Sequence, residues 1–162
     1  AIRKISTDGI ISTVASASYP TGIATDSADN VYFTDYYQNQ CIRKIETNGT
    51  ISIVAGNLQT GYNGDNILAT EAQLNWPGNI AIDRFNNLYI ADYQNYRVRK
   101  VVLSTGIIST VAGNGSFGYA GDGGLSSQAE LNTPVSVAVD YLGNLYFNDY
   151  NNNVIRKVTF TV

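Results

Sequence analysis

Histidine is absent from this 162-residue chain, and cysteine occurs once, at Cys41. Without histidine there is no Ser-His-Asp triad, no Cys-His pair and no imidazole-ligated metal. A single cysteine gives no intrachain disulfide framework. Placed between Gln40 and Ile42, Cys41 reads as small buried filler at a strand start rather than a reactive thiol. Charge is sparse as well. Eight of the 10 Lys and Arg form four pairs, Arg3-Lys4, Arg43-Lys44, Arg99-Lys100 and Arg156-Lys157, and the formal net charge is −3. That leaves Arg84 and Arg97 to build a basic patch, so backbone-driven nucleic-acid binding is not expected. No run of 18 apolar residues occurs, so no membrane span is expected, and no signal peptide is visible. The chain opens on Ala1 inside a repeat unit, as a processed product or one piece of something larger would.

Proline is also scarce, and its 3 occurrences are informative: Pro20, Pro77 and Pro134 each open the same pattern. From Pro134 it runs Val-Ser-Val-Ala-Val-Asp140, then Gly143-Asn-Leu-Tyr-Phe, Asp149-Tyr and Ile155-Arg-Lys-Val. Asp26, Asp83 and Asp140 lie 57 residues apart, and so do Asp35, Asp92 and Asp149. A fixed period of this size signals a repeat architecture, one supersecondary unit per repeat.

Each unit holds four short β-branched runs punctuated by Gly, Asn, Asp and Pro, which is strand-and-turn spacing. The expected strands are a (Gly22–Asp26, Gly78–Asp83, Val135–Asp140), b (Val31–Asp35, Leu88–Asp92, Leu145–Asp149), c (Cys41–Glu46, Val98–Leu103, Val154–Phe160) and d (Ile51–Ala55, Ile107–Ala112). A further c-d pair, Ile2–Ser6 and Ile10–Ala15, comes first. The units are 1–15, 20–55, 77–112 and 134–162 of a single domain, 1–162. Strands a and b read as nearly continuous apolar runs, so they are expected to be covered on both faces by stacked sheets. Two long d-to-a loops, Gly56–Trp76 and Gly113–Thr133, align with one another; the corresponding loop in the first unit is only Ser16–Tyr19. Thr70–Leu74 and Ser126–Leu131 read as the only helical turns, with Thr or Ser as cap.

These residues resemble NHL repeats, the units of NHL β-propellers. The resemblance implies an all-β fold of four-stranded antiparallel blades, about three per chain, where six blades are usual. The family contains scaffold modules, extracellular sensors, RNA-binding modules and a metal-dependent lyase. The lyase ligands include histidines, so its chemistry does not carry over. No cofactor or metal is expected.

The repeated carboxylates, Asp26, Asp83, Asp140, Asp35, Asp92 and Asp149, are expected to cap turns and pair with Arg43, Arg99 and Arg156, since catalysis needs one distinctive site. Within each Arg-Lys pair the side chains point to opposite sheet faces; Arg is expected to bridge carboxylates and Lys to be solvated. Tyr32, Tyr89 and Tyr146 read as core. Tyr36, Tyr93 and Tyr150 start the b–c turns, on the same face as the long loops. There the candidate ligand-binding residues are Tyr62, Asp65, Trp76, Tyr93, Tyr119, Asp122 and Tyr150. Asn48-Gly49-Thr50 and Asn114-Gly115-Ser116 match the N-glycosylation pattern. The expected function is non-enzymatic: a protein-recognition or assembly scaffold. The alternatives are a carbohydrate-binding or sensor domain of a larger extracellular protein and, last, a hydrolase or lyase. A three-blade arc exposes two apolar end faces, so a homodimer closing a six-bladed ring is expected, with an open filament as the alternative. An extracellular or periplasmic location is favoured.

Overall fold

The computed structural model describes residues 1–160; the last two residues of the unit 134–162 lie outside that range. Antiparallel sheets make up the fold. The first is β1 (Ile2–Ile5) with β2 (Ile11–Ala15). The second is β3 (Ile23–Thr25), β4 (Val31–Asp35), β5 (Cys41–Ile45) and β6 (Ile51–Ala55). The third is β8 (Pro77–Ile82), β9 (Asn87–Asp92), β10 (Arg97–Val102) and β11 (Ile107–Ala112), widened by the short β7 (Ile67–Leu68) on its outer edge. The fourth is β12 (Pro134–Val139), β13 (Leu145–Asp149) and β14 (Val154–Val158). The order c-d, a-b-c-d, a-b-c-d, a-b-c follows the repeat.

Turn chemistry sets the hairpins. Asp29, Asn86 and Gly143 occupy the same turn position, all with positive φ (62°, 58° and 87°), a conformation these residue types tolerate. Asp83 closes its turn by accepting from the amides of Phe85 (2.8 Å) and Asn87 (2.9 Å). A bulge recurs between strands c and d. Val14, Val54 and Val111 are the extra residues opposite the steps Ile2/Arg3, Ile42/Arg43 and Val98/Arg99. Each bulge lies opposite the step into the repeat arginine, Arg3, Arg43 or Arg99, where it bends strand d.

The core lies between sheets. Ile42, Tyr32, Ile80, Leu88 and Ile90 pack between the second and third sheets; Tyr89, Ala91, Val98, Leu145 and Phe147 pack between the third and fourth. Ile2, Ala15, Phe33 and Ile45 join the first two. Every residue of β9 is buried, as a strand covered on both faces should be. Strand β3 departs from that expectation and is mostly exposed, because the first sheet has no a or b strand to cover it. Cys41 is buried, and burial pushes its thiol up to about 12.

Four helical turns occur among the described residues, not two. All are single 3₁₀ turns: Ala69–Glu71, Tyr93–Asn95, Ser126–Gln128 and Tyr150–Asn152. The first and third replace the expected Thr70–Leu74 and Ser126–Leu131. Their caps are Leu68 and Leu125, with no side-chain cap bond, so neither Thr70 nor Ser126 serves as cap. The other two follow strand b, where the chain must reverse in few residues. No helix is long and apolar enough to cross a membrane among the described residues.

Candidate functional site

The two aspartates of each repeat have different work. Asp83 Oδ2 accepts from Asn87 Nδ2 (2.8 Å) and the Tyr89 hydroxyl (3.2 Å); Asp26 and Asp140 repeat this arrangement with Asn30 and Tyr32, and with Asn144 and Tyr146. These carboxylates pin strand b to its own turn. Asp92 instead holds the long loop. Its Oδ1 accepts from the Asn75 amide (2.8 Å) and its Oδ2 from Asn95 Nδ2 (2.8 Å), which also donates to Gly61 O (2.7 Å). Asp149 does the same through Asn132 N, Asn152 Nδ2 and Gly118 O.

Arg99 completes this network. It is fully buried, and its Nη2 reaches Asp65 Oδ1 (2.9 Å) and Gly64 O (2.8 Å), while Nη1 lies 3.5 Å from Asp92 Oδ2. Tyr62 lies beneath, its ring 4.9 Å from the Arg99 guanidinium and 3.8 Å from that of Arg97, with its hydroxyl on Asp65 Oδ2 (3.0 Å). Burial raises the Asp92 pKa to about 6, against the lowering effect of Asn95, Asn75 and Arg99. Arg156 mirrors the set with Asp122 (2.7 Å), Asp149 (3.4 Å) and the carbonyls of Glu130 and Ala120. In the unit that lacks a long loop, Arg43 keeps only Asp35 (3.3 Å). Lysines are less free than solvation implies: Lys100 sits over the rings of Tyr89 and Phe160, and Lys44 pairs with Glu46 (3.2 Å). Lys4 and Lys157 are exposed.

The structure thus splits the seven candidate ligand residues. Tyr62 with Asp65, and Tyr119 with Asp122, are tied into the loop networks. Tyr150 is exposed, with no aromatic partner among the described residues. Trp76 and Tyr93 come together, stacked at 6.1 Å with planes 6° apart. Tyr36 meets Trp76 edge-on at 5.9 Å, and Tyr37 and Tyr19 extend the band (6.3 and 5.3 Å). Between these rings and the residues at or just before the starts of three a strands lies a cleft of about 220 Å³, lined by Thr21, Tyr36, Trp76, Gly78, Tyr93 and Val135. None of these carries a formal charge.

Backbone strain aims the band. Tyr19, Trp76 and Thr133 each precede a proline with φ of 53°, 54° and 61°, a region disfavoured for non-glycine residues and more so before proline. Hydrogen bonds hold the joint: Trp76 N donates to Gln40 Oε1 (2.6 Å), Gln94 N to Asn75 O (3.0 Å) and Tyr36 N to Ser18 O (3.1 Å). No sequence pattern singled out Tyr19, Tyr37, Gln40 or Asn95 as site residues. The 57-residue spacing of Asn95 and Asn152 was a usable signal; Asn39, one residue out of phase in a longer turn, was not. Among the described residues no cluster of three or more His, Cys, Asp or Glu could hold a metal ion.

No protein-family model matches the chain. Human Teneurin-4 is 30% identical across 97% of the chain, which spans 7% of the length of Teneurin-4. A Bacteroides thetaiotaomicron structural genomics protein of unknown function superposes with a TM-score of 0.78 at 22% identity, over 93% of this chain and 40% of that one. An auxiliary nutrient binding protein from the same organism gives 0.69 at 20%, with the same coverage. Virginiamycin B lyase from Staphylococcus aureus gives 0.57 at 18%, over 99% and 48%. At these identities the solved structures establish the fold, which is all-β and of β-propeller type. Together with the teneurins, which contain NHL repeats, they support a kinship with NHL propellers at low identity.

Proposed function

We propose that this chain is a non-enzymatic recognition module of NHL-propeller type that binds a protein or peptide segment on the face carrying the long loops and b–c turns. One observation carries the reading: the aromatic cleft is uncharged, while the repeated carboxylates are occupied as structural staples. An acid or base needs a free carboxylate within reach of a substrate, and Asp35, Asp92 and Asp149 are each committed to backbone amides, an asparagine and an arginine. At about 220 Å³ the cleft is also smaller than the roughly 300–1,000 Å³ that encloses a small-molecule ligand. Likeness to Teneurin-4 and to a nutrient-binding protein is consistent with a binding role and with an extracellular or periplasmic location; likeness to a lyase keeps hydrolase and lyase assays among the controls. Pull-down with the wild type against Trp76→Ala tests the reading. Loss of captured protein with an unchanged melting temperature supports it. Binding on a glycan array in its place favours the carbohydrate-binding alternative, and turnover in the enzyme controls overturns it.

The assembly part of the reading rests on one comparison. Ile42, Val98 and Ile155 hold equivalent positions on strand c; the first two are 0% exposed and the third 70%. The fourth sheet therefore presents a face built to be covered. A second copy of this chain, completing a six-bladed ring, is the cover we favour. Native mass spectrometry showing twice the 17.5 kDa chain mass supports it, a mass ladder indicates a filament, and a folded monomer overturns it.

A further inference from the structure

We propose that the Tyr36–Trp76–Tyr93 cleft takes a polyproline-II segment of a partner protein. The inference rests on the recognition reading above and narrows it to one ligand chemistry. Tyr36 stands at 88° to Trp76, so the two rings form a notch rather than a flat platform, and Tyr93 stacks on Trp76 with its ring nearly parallel. The opposite wall is lined by Thr21, Gly78 and Val135, just before or at the starts of β3, β8 and β12.

The polar inventory then decides among ligands. The Tyr36 and Tyr93 hydroxyls and the Trp76 indole N–H have no partner among the described residues, so these cleft-lining residues carry isolated donors. The only other polar side chain, Thr21, is occupied by Thr34 Oγ1 (3.0 Å) and Gly78 O (3.2 Å). A sugar presents many hydroxyls, and a site that reads them needs several convergent donors and acceptors. The nearby candidates are spent: Gln40 on Trp76 N, Asn39 on Asp35 and Asn95 on Asp92. A phosphorylated or acidic motif needs cations, and the lining has none. Strand addition needs room beside a sheet edge; β8 and β12 are edge strands, but the inner strands crowd one another, a Cβ at Gly78 falling 2.5 Å from Val135 O and one at Gly22 2.8 Å from Asn79 Cα, so no further strand fits between them. A helix lays several anchors in a row along a groove, whereas this cleft is a single notch between two rings set at 88°.

A polyproline-II strand meets each condition. It carries no charge, its pyrrolidine rings fill notches between aromatic rings, and its carbonyls lack internal partners, so they accept from indole and phenol donors. It is also pre-organised, which lowers the entropic cost of binding in a shallow cleft.

The chain supplies its own reporter, because Trp76 is the 1 tryptophan present. Intrinsic fluorescence would be titrated with a capped decaproline peptide, a Gly-Ser peptide of equal length and a soluble cello-oligosaccharide. The expected result is a saturable emission change with decaproline alone, weakened about tenfold by Tyr93→Ala and several-fold by Tyr93→Phe, which removes only the hydroxyl. Folding of both variants would be checked by thermal melting; if Tyr93→Ala melts early, Tyr93→Phe and Tyr36→Phe carry the comparison. Saturation by the oligosaccharide, equal response to the Gly-Ser peptide, or decaproline binding indifferent to all these variants overturns the proposal. Absence of any response overturns it too, while protein capture that depends on Trp76 would leave the broader recognition reading standing.

Discussion

Four arginines at one repeat position form a natural dose series for the long loop. Arg3 is exposed and has no ion pair among the described residues. Arg43, 31% exposed at its side chain, has Asp35 alone as a carboxylate partner, and Nε lacks a partner in Arg43 and Arg99 alike. Arg99 and Arg156 are buried, each with two carboxylates and at least one loop carbonyl. Substitution by alanine should follow that order. Arg3→Ala removes a solvated charge and should stay within about 0.5 kcal/mol. Arg43→Ala leaves Asp35 with Ser18 N and Asn39 as donors and should cost about 1–2 kcal/mol. Arg99→Ala strands the fully buried Asp92 without its cation and frees Asp65, and breaking a buried pair in this way costs about 3–5 kcal/mol. Lys100→Ala, on the neighbouring position, loses only contacts over Tyr89 and Phe160 and should cost about 0.5–1 kcal/mol. Urea denaturation of the five proteins reads all of this directly. Equal losses at Arg43 and Arg99 would refute the claim that the loop makes the difference, and equal losses at Arg99 and Lys100 would refute the division of the pair between a buried and a wetter face.

Asp92 titrates at about 6 in the folded chain, above the ordinary carboxylate value of about 3.9; the folded state therefore holds a proton that the unfolded state has lost. Its contribution is complete below about pH 4 and lost as pH rises through about 6, so the stability of wild type relative to Asp92→Asn should fall by about 3 kcal/mol between pH 4 and pH 7, and a difference independent of pH in denaturation curves would contradict the burial argument. A Cβ at Gly78 would lie 2.5 Å from the Val135 carbonyl oxygen, so Gly78→Ala should destabilise by about 1–3 kcal/mol, and a melting temperature at or above that of wild type would show that the inner strands have room to part. Tyr62→Ala removes the ring beneath two guanidinium groups and the hydroxyl on Asp65, and should cost about 1–3 kcal/mol. Tyr119→Ala, whose ring is 5.7 Å from Arg156, should cost less; a reversal of the two would mean that the two loops are held differently.

The repeat made the strand order legible because a 57-residue period superposes its main signals three times: the Asp that closes the a–b turn, the Tyr near the start of strand b and the Asp that ends it, with the Arg-Lys step of strand c following at spacings of 56 and 57. The helical turns were harder. At Tyr93–Asn95 and Tyr150–Asn152 the turn is made by a left-handed residue, Tyr96 or Asn153, and tyrosine carries no warning of that conformation. The candidate site divided along similar lines. Tyr62 and Trp76 are both aromatic residues on a long loop, and composition cannot distinguish them. What separates them is Arg97 and Arg99, which bring two cations to one ring from strand β10, and Gln40, which fastens the other from a different sheet.

The strained joint before each proline separates direction from identity. The backbone takes the same left-handed turn at Tyr19, Trp76 and Thr133, yet the side chains differ: a phenol, an indole and a small aliphatic hydroxyl. The fold thus sets where a group is shown, and the sequence remains at liberty to decide which group. Such a position is a mount: its fitting can be exchanged without rebuilding the frame, because the cost of the turn lies in the main chain and is the same whichever side chain is attached. A lineage carrying this frame could acquire new partners by altering a few mounts around the mouth of the propeller, and the tryptophan at 76 is one such fitting.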